Sequence, residues 1–265
     1  MNENIKYFAG AVAVVGLSIG AVVYISKHPS TPPPDEPATP VAAPAPPAAA
    51  EEPAVKYPVA EPEVQAQLPP LNESDQPMWS ALTELIGKES VQQFVIPKEL
   101  VRHIVVSIDN MPEEKVAERL RPIIPTPGRF AVAGAEDAPM LDPSNYVRYK
   151  PLVQLIGSTD TKSLVEAYTR YYPLFQEAYE SLGHPPQYFN DRMIEVIDHL
   201  LATPEVAGPV ALAQPNVLYQ FADPKLESMS AGQKVLIRMG AENAKVVKDK
   251  LRELRGELVA QPPGK

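Results

Sequence analysis

Cysteine is absent from all 265 residues. That excludes disulfide staples, thiolate metal sites, a cysteine nucleophile and a lipid-modified cysteine. Positive charge is also scarce: 24 Lys and Arg stand against 33 Asp and Glu, a formal net charge of -9. Beyond residue 70 the tally is 21 against 26, so the imbalance runs into the folded part. A chain without a basic footprint is not built to hold nucleic acid. Neither G-x-x-x-x-G-K-[ST] nor G-x-G-x-x-G occurs, which leaves nucleotide binding without support. A serine nucleophile elbow needs a sheet that an α-rich chain lacks. No cofactor and no metal site is implied.

What is present is first one long apolar run. Tyr7–Ser26 carries no charge over 20 positions and is bracketed by Lys6 and Lys27. As a helix it rises about 30 Å, the thickness of a bilayer's hydrocarbon core. The run exceeds the usual ~7–15 apolar residues of a cleaved signal, so an uncleaved signal anchor over residues 1–28 is expected, with the lipid bilayer as its partner through residues 7–26. The flanking charges are nearly tied. A short head that needs no translocation places the N-terminus inside and the remainder in a periplasm-like space. Gly16 and Gly20 form a G-x-x-x-G pair through which two anchors would pack as a homodimer.

Pro29–Pro70 holds fourteen prolines, six acids and a single lysine, Lys56. Such a stretch buries too little apolar surface to fold, so residues 29–70 read as a disordered, extended linker of at most ~130 Å. The remainder, 71–258, reads as one helical domain followed by a tail, 259–265.

Helical spacing and caps predict about eight helices and one or two short strands, an all-α fold. Ser74-Asp75 starts a helix that Gly87 ends, and Pro97 opens the next clear one, with Leu100, Val101, Ile104, Val105 and Ile108 on one face. A short helix is expected over Glu113–Arg121. Pro122–Pro143 reads as an irregular loop with one strand near Arg129–Ala133, a candidate binding surface. Further helices are expected over Asn145–Ile156, over Thr161–Leu182 with a kink or split at Pro173, after Asn190, after Ser230 and over Glu242–Leu258.

The densest polar-aromatic set is Tyr146, Arg148, Tyr149, Tyr168, Arg170, Tyr171 and Tyr172, which suits either a recognition surface or a packed helix seam. Asp191, Glu195 and His199 share one helix face at metal or acid–base spacing, but no second helix completes a site. His103 reads as a satisfied structural histidine. Gly232-Gln233-Lys234 offers free N–H groups at a helix start to an anion. Lys245, Lys248, Arg252 and Arg255 repeat on the last helix as a cationic face.

Five stretches, NYVRY (Asn145–Tyr149), YYPLFQEAYESLG (Tyr171–Gly183), IDHLLATPEV (Ile197–Val206), FADPKLE (Phe221–Glu227) and GQKVLIRMGAENA (Gly232–Ala244), together resemble a domain-of-unknown-function family of proteobacterial envelope proteins. The resemblance spans about 68–258. It implies one N-terminal span, a proline-rich tether and a single C-terminal domain, and it carries no reaction, ligand or catalytic residue. The resulting expectation is a periplasmic binding or scaffold module on the bacterial inner membrane, meeting an envelope protein or a cell-wall polymer. The alternatives are an envelope glycan hydrolase working through carboxylates such as Glu195 or Asp198, and a cytoplasm-facing domain on a reversed anchor.

Overall fold

The structure, a computed structural model, describes residues 54–59, 68–184 and 187–261. The expected span, its Gly16–Gly20 pair and most of the linker lie outside the described residues. Among the described residues no helix is long and apolar enough to cross a membrane. They form a mostly helical fold with nine α-helices and four short strands, slightly more of each than the local patterns predict.

Helix α1 (Asp75–Ile86) stops at Gly87, whose φ of 76° suits glycine. Ser74 does not cap it, because its hydroxyl donates back to Leu71 O at 2.7 Å. Asp75 serves a different helix. Its two carboxylate oxygens accept from the N–H groups of Glu99 and Leu100, each at 2.8 Å. After α2 (Lys88–Phe94), helix α3 (Leu100–Asp109) therefore begins where Asp75 caps it from across the chain, not at Pro97. The helix expected over Glu113–Arg121 shrinks to a 3-10 turn, Glu118–Leu120. The carbonyl at its start is taken: Glu113 O accepts from Ala231 N at 2.7 Å, and just before it Met111 O accepts from Gly232 N at 3.1 Å.

The proline-rich 122–143 stretch contains a hairpin, β1 (Val132–Ala135) antiparallel to β2 (Ala138–Leu141), in place of a single strand. Pro139 stands opposite Gly134 in it, so the alternation that signals paired strands is missing from the sequence. Helices α4 (Ser144–Ser158), α5 (Thr161–Glu180) and α6 (Phe189–Leu201) follow. Helix α5 runs unbroken through Pro173, and Asp160 caps it by accepting from Ser163 N at 2.8 Å. The expected split at Pro173 does not occur, and α5 packs on α3 and α9. Strands β3 (Leu212–Ala213) and β4 (Gln220–Phe221) pair with each other, and a bridge from Met140 to Ala211 ties them to the hairpin. Helices α7 (Pro224–Glu227), α8 (Ala231–Arg238) and α9 (Ala241–Val259) complete the chain.

Helix α9 packs against α4, α5, α6 and α8. Its buried row, Val247, Leu251, Leu254 and Leu258, joins the main core with the inner faces of α1, α3, α5 and α6. A smaller core of Leu141, Val210, Leu212, Phe221 and Ile237 lies under the strands. The turn between α8 and α9 depends on Gly240. Its φ is 85°, and a Cβ there would come within 2.7 Å of the Tyr146 ring.

Asp75→Ala leaves two N–H groups at the start of α3 without their acceptor. Urea unfolding of that variant is expected to show a loss of about 1–2 kcal/mol, the range for a lost helix cap.

Candidate functional site

The aromatic–basic set divides between two helices. Tyr146, Arg148 and Tyr149 ride on α4, whereas Tyr168, Arg170, Tyr171 and Tyr172 ride on α5, and both helices pack on α9. Arg148 forks onto backbone, not onto a carboxylate. Its guanidinium donates to Pro127 O at 2.8 Å, to Gly128 O at 3.1 Å and to Asn145 Oδ1 at 3.1 Å. Asn145, buried beside it, exchanges hydrogen bonds with Ala131, its Oδ1 accepting at 3.0 Å and its Nδ2 donating to the carbonyl at 2.7 Å. The NYVRY stretch thus fastens the 126–131 loop to α4. At the end of that loop Phe130 is 40% exposed, with its ring 6.2 Å from that of Tyr219. Tyr149 is half-buried against the main core, and burial raises its phenol above the ordinary range.

On α5 the tyrosines make seams and one floor. Tyr171 donates to Pro77 O at 3.4 Å, and Arg170 is exposed. Burial pushes the Tyr172 phenol up to about 12, and its hydroxyl donates to Gln176 Oε1 at 3.1 Å. Tyr168 is buried, packs on Tyr172 and Phe175, and meets Asn190 Oδ1 at 3.2 Å.

Asn190 and Asp191 open α6, and both hold a piece of the linker. Asn190 does not cap the helix: it is fully buried, and its Nδ2 donates to Tyr57 O at 2.9 Å. A carbonyl only accepts, so Asn190 presents its amide N–H there and its Oδ1 to Tyr168, whose hydroxyl must donate. Asp191 accepts from Lys56 N at 3.0 Å and from Tyr57 N at 2.8 Å. Tyr57 and Val59 pack against the main core.

A chain of charges leads away from this corner. Lys56 Nζ lies 3.6 Å from Glu195, Glu195 lies 3.7 Å from Arg192, and Arg192 Nε donates to Asp109 at 2.8 Å. The other Asp109 oxygen is 3.3 Å from His184, whose ring stacks on Tyr179. Asp198 pairs with Arg255. The carboxylates that a glycan hydrolase would use are each held by a cation or by main chain.

His199 takes no part in a metal site: its Nε2 lies 2.9 Å from the Ser230 hydroxyl that caps α8. Among the described residues no group of three His, Asp or Glu is placed to hold a metal. The N–H groups of Ala231, Gly232 and Gln233 already have acceptors, so the α8 start offers no anion site. His103 is only half satisfied. Its Nε2 is 3.5 Å from Glu99, and its buried Nδ1 has no hydrogen-bond partner among the described residues. The cationic face of α9 is largely consumed: Lys248 is buried and donates to Thr203 O, while Lys245 and Arg252 both pair with Asp249. A cleft of about 40 Å³ beside Tyr146, Gly240 and Lys248 is far below the size of a small-molecule site.

Two predictions follow from these contacts. Tyr168→Phe removes the donor that faces buried Asn190 Oδ1, and denaturant unfolding is expected to register about 1–3 kcal/mol of destabilisation. The second concerns pH. Burial holds His103 and His199 below the ordinary value of 6.5. The unfolded chain therefore binds more protons, and stability that is complete above pH 6.5 is lost as pH falls through the folded values. Hydrogen bonds from Ser163 depress Asp160, and hydrogen bonds from Lys250 and then Thr161 depress Glu253. Their contribution is present above the ordinary values of 3.8 and 4.5 and is lost below them. Melting temperature against pH is expected to fall in two stages, and the double variant His103→Gln, His199→Gln to lose only the upper one.

No curated protein and no solved structure matches the chain. A family described as "Protein of unknown function (DUF3014)" matches residues 100–255. The match begins at the first residue of α3 and ends within α9, so it takes in Asn145, Arg148, Tyr168, Asn190 and Asp191 and leaves out α1, α2 and the docked linker segment. The chain belongs to the DUF3014 family.

Proposed function

We propose that this protein is a non-enzymatic binding module of a bacterial envelope, anchored in the inner membrane by residues 7–26 and carried into the periplasm on its proline-rich linker. Its partner is an envelope protein or a cell-wall polymer. The observation that supports this reading best is the surface around Phe130 and Tyr219. Phe130 is 40% exposed and Val217 is 83% exposed, yet the loop carrying Phe130 is tied down by Arg148 and Asn145. An exposed aromatic ring on a loop held by internal hydrogen bonds binds at little conformational cost, since the ordering is already done. Ring faces of this kind suit peptide side chains and sugar rings alike. The anchor reading rests on the uncharged Tyr7–Ser26 run, and the envelope placement on the resemblance carried by the five sequence stretches.

A photo-crosslinking side chain at position 130 of the full-length protein, activated in cells, is expected to capture a partner. Phe130→Ser should reduce partner recovery by at least ~10-fold, as for an aromatic hot spot, with the melting temperature nearly unchanged. Recovery of the uncrosslinked monomer alone, at position 130 and at position 217, would count against the binding-module reading. A periplasm-active reporter fused after Lys265 is expected to be active, and its silence would reverse the orientation.

A further inference from the structure

The linker between Pro29 and Pro70 contains one lysine and one aromatic residue, and they are neighbours, Lys56 and Tyr57. That pair is what the corner of α5 and α6 holds. Asp191 accepts from two successive backbone N–H groups, at 3.0 and 2.8 Å, and Asn190 donates to the carbonyl of the second residue at 2.9 Å. Three main-chain groups of two successive residues are thus read by two adjacent side chains. The reading requires a backbone bent at Lys56 and Tyr57, so that two successive N–H groups turn to the same side, with a free N–H at both positions. Pro58 narrows the conformations open to Tyr57, the residue before it. Side-chain selectivity is added by Tyr57, packed on the core, and by Lys56 facing Glu195. The site is built into the domain: Asn190 is fully buried and oriented by the Tyr168 hydroxyl beneath it.

We propose that the α5–α6 corner is a peptide-binding site for a bent Lys-Tyr-Pro segment, and that the chain's own residues 54–59 occupy it as a releasable latch. Release is built into the contacts. The Lys56 and Glu195 side chains are 69% and 54% exposed, so their pairing is weak. The remaining hold is three hydrogen bonds and the partial burial of Tyr57 and Val59. A tethered segment competes at an effective concentration on the order of 1 mM, so one that binds in trans at about 100 µM is latched roughly nine-tenths of the time. Opening the latch moves the first held position of the domain from residue 54 to Leu68, which packs on the main core, and at ~3.1 Å per residue adds roughly 40 Å of contour to the linker. This site is separate from the Phe130 surface, and neither reading depends on the other.

The test uses the full-length chain and a fluorescent synthetic peptide of residues 54–59, Ala-Val-Lys-Tyr-Pro-Val. Tyr57→Ser empties the site in cis, so that variant is expected to bind the peptide, with the wild-type chain binding at least ~10-fold more weakly because its own segment competes. The double variant Tyr57→Ser, Asp191→Ala should not bind it. Absence of binding to Tyr57→Ser, or equal binding by both variants, overturns the proposal. Amide exchange supplies a readout free of any binding variant. The Lys56 and Tyr57 amides of the unmodified chain are expected to exchange at least ~10-fold more slowly than unstructured chain, and exchange at the unstructured rate overturns the latch. A concentration-dependent dimer that Asp191→Ala abolishes would assign the segment to a second copy and overturn its occupancy in cis.

Discussion

On α9 the apolar row Val247, Leu251, Leu254 and Leu258 is flanked by two lysines nearly as buried as the leucines, Lys248 and Lys250. An ammonium group out of water must be met by acceptors, and both find theirs just past the C-terminal ends of other helices. Lys248 donates to Thr203 O beyond α6, and Lys250 to Thr159 O at the end of α4. Those carbonyls sit at the negative end of a helix dipole. Glu253 and the Thr161 hydroxyl close the circle around Lys250, at 2.6 and 3.1 Å. The rest of the fold depends on this clasp, since α9 is the helix on which α4, α5, α6 and α8 all pack. Apolar contact alone would leave α9 free to slide along the row, and the two amines fix its position.

The same economy of cations and main-chain acceptors recurs away from the core. Arg148 forks onto the carbonyls of the 126–128 loop, Arg192 reaches both the carboxylate and the carbonyl of Asp109, and Lys234 holds Glu227. Glu227 in turn accepts from Phe221 N, while Arg238 lies 5.0 Å over the Phe221 ring. Burial lowers the Arg238 guanidinium from its ordinary value, and Glu227 partly offsets the fall. Side chains that read in isolation as ligand-seeking are here joints between elements. Such contacts hold the Phe130 loop at one place and the Asn190–Asp191 corner at another.

Helix ends were legible wherever the determinant lay within a few residues. Gly87 and Gly240 stop helices at positive φ, and Asp160 and Ser230 cap α5 and α8 through Ser163 N and Gln233 N. The apolar spacing of α3 and α9 likewise maps onto their buried faces. Tyr168, from the aromatic set the sequence singled out, bonds Asn190 at the corner that holds Tyr57. The local reading failed where the partner is far along the chain. Asp75 has the look of a first-turn residue of its own helix and caps α3. Asn190 has the look of an N-cap and binds Tyr57, 133 residues earlier. Glu113 and Met111 have helical neighbours in sequence, but α8 takes their carbonyls.

By itself the sequence determined the helical class, the ends of most helices and the apolar faces, because each follows from the conformational preference and spacing of residues within a turn or two of one another. It also marked Lys56 and Tyr57 as the odd pair in an otherwise uniform linker. Only the tertiary structure decided which polar groups meet. Asp191 and the Lys56–Tyr57 backbone, Arg148 and its loop, and Lys250 and Thr159 O are brought together by chain folding over many residues. A hydrogen bond depends on a few ångströms of separation and a narrow angle, and no local pattern encodes either across such a gap.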